Sequence, residues 1–184
     1  MKDVIFTQSS VLTEDMIDDL KYFKDTVGSH EASVVNSKQK GVYKDQRKAK
    51  VKEISHTQFP DICDALLDLV VIHNPELFKE KHYVNEFNYL MYETGGHFIK
   101  HRDWIGRDGD IYNNRIFSTI TLINRSDDLE GGNLLIWDRE DGNVTQIELD
   151  IGETVIFNSR RFHQVTPIIR GTREVLVAWI YLKK

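Results

Sequence analysis

The second half of the chain reads as a series of short strand-like runs separated by turn signals, and that feature constrains the fold most. From residue 83 onward, short runs rich in Val, Ile, Phe, Tyr and Thr alternate with turn-forming residues. Eight runs stand out: 83–92, 98–103, 116–123, 133–137, 144–149, 154–157, 163–168 and 174–182. Segments of this length and composition are strands rather than helices. The breaks between them include Gly95-Gly96, Gly131-Gly132, Asp141-Gly142 and Arg170-Gly171-Thr172. Asp141-Gly142-Asn143 between two apolar runs predicts a hairpin. None of these strands can bury a face alone, so they must close on one another, and a jelly roll is the architecture that does so.

The first half reads differently. Thr13 suits an N-cap, and Glu14 and Asp15 suit the positive end of a helix. Met16, Ile17, Leu20, Phe23 and Val27 recur at helical spacing, with Gly28 able to end the helix. A second helix is predicted from Pro60, with Ile62, Leu66, Leu69, Val70 and His73 on one face and Asn74-Pro75 as its stop. The expected fold class is therefore mainly β with flanking helices: a jelly roll with two N-terminal helices packed outside. One domain spans 1–184, with its core at about 83–182 and helical support at about 12–75. Residues 37–54 are rich in lysine and read as a solvated loop or an edge hairpin. Arg47 is the exception, since it suits a flap that meets substrate.

Composition narrows the function classes. A net charge of -5 over 184 residues argues against a nucleic-acid-coating protein. Cys63 is the single cysteine, so no disulfide can form within the chain. Residues 1–6 contain no run suited to a signal peptide, and no stretch reaches the roughly 20 apolar residues of a membrane span. A cytoplasmic protein without membrane contact is expected.

The residues that carry chemistry begin with His101-Arg102-Asp103. Two positions apart on a strand share a face, so an imidazole and a carboxylate can meet one ion. An H-x-D tripeptide alone is weak, but His163 opens a later strand where a partner would return. Two histidines and one carboxylate that leave coordination positions open make the facial triad of non-haem Fe(II) oxygenases. Arg173 then begins a strongly apolar strand. A guanidinium buried there needs a partner, and its planar fork matches a carboxylate. His97 shares the face of His101 by simple alternation and is expected to be a satisfied or mouth-facing histidine. Trp104 is a candidate substrate contact or a packing residue. The Gly- and Asp-rich loop 106–114 is expected near the site, and Cys63 is expected as a small buried hydrophobe.

Several of these stretches together resemble the prolyl 4-hydroxylase-like 2-oxoglutarate oxygenases. They are Tyr92 to Asp103, Glu130-Gly131-Gly132-Asn133-Leu134, Gly152 to Phe157, His163-Gln164-Val165-Thr166-Pro167, and Gly171-Thr172-Arg173 leading to Trp179. Order and spacing agree over about half the chain, 84–181. The segment from Gly41 to Arg47 resembles, more weakly, the family's segment before the core, where an arginine often lies near the site mouth. The resemblance implies a distorted double-stranded β-helix that uses Fe(II), 2-oxoglutarate and O2, with ascorbate as an accessory. It implies hydroxylation of a prolyl residue in a peptide or protein, with release of succinate and CO2. Arg173 would hold the distal carboxylate of 2-oxoglutarate, Tyr92 would hydrogen-bond it, and Leu134 and Trp179 would line its pocket. One departure is Leu122, where some family members carry a tyrosine that also binds that carboxylate. Two other readings stay open: a cupin-like metal enzyme without 2-oxoglutarate, and a non-catalytic jelly-roll binding module.

Overall fold

The computed structural model describes residues 5–8, 11–35, 40–73, 82–104 and 114–182. The Asn74-Pro75 stop and the loop up to Asn113 lie outside those residues. In chain order the elements are β1 (Ile5–Gln8), α1 (Glu14–Thr26), β2 (His30–Glu31), β3 (Val34–Val35), β4 (Lys40–Gly41), β5 (Arg47–Lys48), β6 (Lys50–Ser55) and α2 (Pro60–His73). There follow β7 (His82–Tyr92), β8 (His97–His101), β9 (Arg115–Arg125), β10 (Glu130–Gly131), β11 (Leu134–Trp137) and β12 (Val144–Ile147). The last four are β13 (Thr154–Asn158), β14 (His163–Val165), β15 (Ile168–Arg170) and β16 (Arg173–Leu182).

Most strands form a larger sheet, ordered β1-β13-β9-β16-β7-β6-β2, and a smaller one, ordered β12-β11-β14-β8-β5, while β10 pairs with β15 and β3 with β4 in two-stranded sheets. All pairings are antiparallel among the described strands. The larger sheet is covered on both faces, and strand alternation decides which side chain goes where. On β16, Leu176, Ala178 and Ile180 join Phe87, Tyr89 and Ile156 in a core with Leu20 of α1 and Ile62, Leu66 and Leu69 of α2. Val175, Val177, Trp179 and Tyr181 face the other way, into a second core with Leu134, Ile136 and Val165 of the smaller sheet. The result is three layers: helices, larger sheet, smaller sheet. This is the expected jelly roll with its helices outside.

Local chemistry explains both helices. Thr13 Oγ1 accepts the backbone N–H of Met16 at 3.2 Å, which satisfies one of the orphan donors of α1. Pro60 opens α2, where its missing N–H is not needed. At the C-terminus of α1 the ammonium of Lys52 donates to the carbonyls of Lys24 and Val27. That lysine is buried from β6 and docks the helix end onto the sheet.

The structure departs from the sequence reading in the first half. Besides its helices, that half supplies β1 to β6, of which β1, β2 and β6 extend the larger sheet and β5 the smaller. β3 and β4 pair with each other as a separate antiparallel two-stranded sheet. These strands are too short or too lysine-rich to stand out as strands in the sequence.

Candidate metal centre

β8 and β14 are neighbours, and His101 sits directly opposite His163. Asp103 lies two residues beyond the end of β8, so its carboxylate comes from a turn rather than from the strand. The turn is fixed by the backbone N–H groups of Asp103 and Trp104, which both donate to the carbonyl of Ser159, at 3.1 and 3.0 Å. Nε2 of His101 is 3.6 Å from Asp103 Oδ1, and Nε2 of His163 is 3.6 Å from Oδ2. The three donor atoms all lie within 4.8 Å of one another.

The other ring nitrogens are tied down. Nδ1 of His101 faces the carbonyl of Ile99 at 2.8 Å, and Nδ1 of His163 faces that of Arg161 at 3.3 Å. With Nδ1–H donating to a carbonyl, Nε2 keeps its lone pair for an ion. Burial, then repulsion from His101, pushes the pKa of His163 down to about 4, with Asp103 pulling the other way. His163 is therefore neutral near pH 7 and needs to lose no proton to bind metal. For Asp103 burial is the largest effect and opposes ionisation. His163, His101 and Arg115 outweigh it together and hold the carboxyl well below its usual range. Ser118 Oγ also donates to Asp103 Oδ2 at 2.6 Å and lies 3.0 Å from Ser159 Oγ.

The expected face for His97 is overturned by a β-bulge. Between the pairs His101↔His163 and Phe98↔Val165, β8 carries one residue more than β14. The extra residue shifts the alternation, as bulges near active sites do. Phe98 therefore turns to the side of His101, and the two rings stack with centroids 3.5 Å apart. His97 turns away, with Nδ1 3.0 Å from the carbonyl of Gly95 and Nε2 3.2 Å from that of Asp45.

A cavity of about 160 Å³ opens in front of the triad. Tyr92, Arg47, Arg115 and Trp179 are among its lining residues. Arg47 lies over the outer face of Phe98 at 4.6 Å and donates through Nη1 to the carbonyl of Ser33 at 3.1 Å, while its Nε is buried without a partner. Trp104 is not in that lining. Its ring instead meets the guanidinium groups of Arg160 and Arg102, at 4.6 and 5.2 Å. Leu134 and Arg173 also lie outside that lining and border a second cavity.

Arg173 begins β16 opposite Tyr92 of β7. It is only 6% exposed, and its Nη1 is buried without a hydrogen-bond partner. Burial lowers its pKa, and Tyr92 works against that shift. A buried guanidinium with an unmet donor fits an anionic ligand. Gly131 and Gly132 make room beside it. Both have positive φ, 80° and 67°. A Cβ on Gly131 would lie 2.3 Å from the carbonyl oxygen of Pro167, and one on Gly132 would press on Ile168 and meet Arg173 Cδ at 3.6 Å.

Arg115, Ser118, Ser159 and Phe98 did not emerge from the sequence as site residues. Arg115 had a signal, since it opens an apolar strand just as Arg173 does. It is 8% exposed, donates through Nε to Tyr181 Oη at 2.7 Å and stacks over Trp179 at 3.9 Å. Ser118 shares a face of β9 with Ile120 and Leu122 and was legible by parity. Ser159, in a turn, had none.

The fold and the donor set together define an oxygenase with a His-Asp-His site. A sequence profile of the 2OG-Fe(II) oxygenase superfamily matches residues 87–181, just over half of the chain. The chain belongs to that superfamily. A PKHD-type hydroxylase of Maricaulis maris is 36% identical over 62 residues, which is 34% of this chain and 28% of that relative's length. A PKHD-type hydroxylase of Gloeothece citriformis is 23% identical over 177 residues, covering 96% of this chain and 78% of the relative. Among solved structures, a Pseudomonas putida prolyl-4-hydroxylase superposes with TM-score 0.74 at 21% identity, over 100% of this chain and 95% of that one. A Trichoplax adhaerens prolyl hydroxylase in complex with a hypoxia inducible factor peptide fragment gives 0.67 at 16% identity, over 98% and 84%. These likenesses in structure establish the shared fold.

Proposed function

We propose that this protein is an Fe(II)- and 2-oxoglutarate-dependent hydroxylase acting on a prolyl residue in a peptide or protein. The observation that carries the reading is the convergence of two Nε2 atoms and one carboxylate, with both Nδ1 atoms tied to backbone carbonyls. His101, Asp103 and His163 would hold the iron. Arg173, with its unmet buried donor, would take the distal carboxylate of 2-oxoglutarate, beside Tyr92, Leu134 and Trp179. When bound, iron and 2-oxoglutarate supply an oxidant made from O2, with succinate and CO2 as by-products, and ascorbate keeps the iron ferrous.

The chain's own contribution is position and exclusion of water. The Nδ1–H groups fix both imidazoles in the tautomer that presents Nε2. Asp103 stays ionised and supplies negative charge to a dication. Leu90, Ile120, Val165 and Val177 line the cavity wall and keep the reacting region dry. Arg47, held over Phe98 with an unmet Nε–H, would donate to a substrate carbonyl in the cavity. Prolyl hydroxylases among the structural neighbours support a peptide or protein substrate, and the single reduced cysteine suits the cytoplasm. Trp104, whose ring meets Arg102 and Arg160 outside the cavity lining, would reach a substrate only beyond that lining.

The test is anaerobic. Fe(II) and then 2-oxoglutarate are added to apo protein, and a weak visible charge-transfer band that neither gives alone is expected. Incubation with proline-rich peptides in air should then add the mass of one oxygen. Iron binding without the band would favour the cupin-like reading, and no metal binding would favour the non-catalytic module.

A further inference from the structure

On the outer side of the smaller sheet, cations and aromatic rings alternate. Lys100 of β8 holds its Nζ 4.4 Å from the ring centroid of Trp137 and 5.4 Å from that of Phe162. The guanidinium of Arg102, just past β8, lies 5.5 Å from Phe162 and 5.2 Å from Trp104. Arg160, from the turn before β14, meets Trp104 at 4.6 Å. Alternation explains the grouping: Ile136 and His163 are paired and buried on the inner side, so Trp137 and Phe162 fall on the outer one. Lys100 is committed to the carbonyl of Glu140. Arg102 and Arg160 are exposed, and among the described residues neither guanidinium has an ion-pair or hydrogen-bond partner.

A guanidinium held against a ring has less freedom to lose on binding, and it keeps its N–H donors for a carboxylate. The rings themselves are poorly placed to stack on bases, because Trp104 and Phe162 each already meet two cations. The surface therefore suits acidic side chains better than a nucleic-acid strand, on a chain whose net charge is -5. Arg102 also lines the cavity in front of the triad, as do Arg47 and Arg115. A polypeptide with one residue in that cavity would pass Arg102 on its way out. We propose that Arg102 and Arg160 dock an acidic flank of the polypeptide substrate, with aspartate or glutamate within a few residues of the one that enters the cavity. The proposal rests on the hydroxylase reading and adds to it a sequence preference.

The experiment measures fluorescence anisotropy of labelled peptides on the full chain, loaded with 2-oxoglutarate and with Mn(II) as a redox-inert stand-in. One peptide carries aspartates around a single proline, and its counterpart carries asparagines. Exposed ion pairs each change affinity by roughly 1.5–5-fold, and forked contacts to a held guanidinium lie at the upper end. The aspartate peptide should therefore bind about tenfold more tightly at low salt, and the gap should narrow as salt rises. Arg160→Gln, outside the cavity lining, should close part of the gap and leave the asparagine peptide within about twofold of wild type. Arg102→Gln with Arg160→Gln should close it to within about twofold. A wild-type gap under about twofold overturns the inference, as does a gap that survives the double variant. Tighter binding of an oligothymidylate strand than of the aspartate peptide overturns it in favour of nucleic acid. Oxygen incorporation with Fe(II) in air is read on the same peptides. Hydroxylation of both peptides without a binding gap overturns this inference alone. A binding gap without hydroxylation of either peptide overturns the prolyl reading and upholds the docking surface.

Discussion

Ser118→Ala isolates what a single buried hydroxyl does for the candidate metal centre. Ser118 is fully buried on β9, and its Oγ donates to Asp103 Oδ2 at 2.6 Å. A hydrogen bond to a charged acceptor contributes about 1.5–3 kcal/mol, and losing it leaves a buried carboxylate oxygen less well satisfied. The apo protein should therefore lose about 1–3 kcal/mol in urea unfolding. Metal affinity should fall as well, because the freed carboxylate must be re-oriented before it meets the two Nε2 atoms. Removal of such an orienting partner typically costs 10–100-fold in affinity. Ser159 Oγ, 3.0 Å from Ser118 Oγ, can swing toward Asp103 and limit the loss, so the Ser118→Ala, Ser159→Ala double variant should lie further down than either single one. Competition titration of Mn(II) or Fe(II) against a chelator of known affinity measures this directly. Affinity within about twofold of wild type in the double variant would refute the orienting role.

Arg173→Met should separate stability from ligand binding. It removes an unpaired buried charge, so the thermal midpoint of the apo protein should hold or rise, while 2-oxoglutarate binding should weaken by about 100-fold or more in calorimetry. Gly131→Ala should destabilise by more than about 2 kcal/mol in denaturant unfolding, because the new Cβ meets the carbonyl of Pro167 and φ is positive. A loss under about 0.5 kcal/mol would show that the β10–β15 junction is loose. Cys63 has its thiol pKa pushed up to about 11, by burial first and by Asp64 second. At pH 8 it should alkylate on the order of 100-fold more slowly than free cysteine, and a free-cysteine rate would mean that α2 opens readily.

The strand-rich half was legible because its runs are short, rich in Val, Ile, Phe, Tyr and Thr, and bounded by turn residues. In β16 alternation also held, with Arg173 and Trp179 on one side and Leu176 and Ile180 on the other. The helices were legible from Thr13 and Pro60. His101, Asp103 and His163 were legible as a set of residue types, and the structure brings their donor atoms together. Alternation failed where the backbone broke its own rule. The bulge in β8 exchanged the faces of His97 and Phe98, and Ile99-Lys100 carries no glycine or proline to announce it. Trp104 looked like a site residue only by adjacency, and of its two cation neighbours Arg102 is two residues away while Arg160 comes from a distant turn. The short strands β2 to β5 carry no pattern of their own: β2 and β5 exist because β6 and β8 offer them an edge, and β3 and β4 pair with each other.

The central strand β16 serves two cores at once, and this has a consequence for divergence. Positions 174, 176, 178 and 180 answer to the helices, while 173, 175, 177, 179 and 181 answer to the cavity side. Neighbouring codons in one ten-residue stretch are thus under separate selection. A lineage can rewrite the odd positions to suit a new ligand while the even ones keep the scaffold standing. A single-residue insertion or deletion there would exchange the two sets and destroy both functions together. A shift in frame in this strand should therefore be tolerated far less than a volume-conserving substitution at any single position.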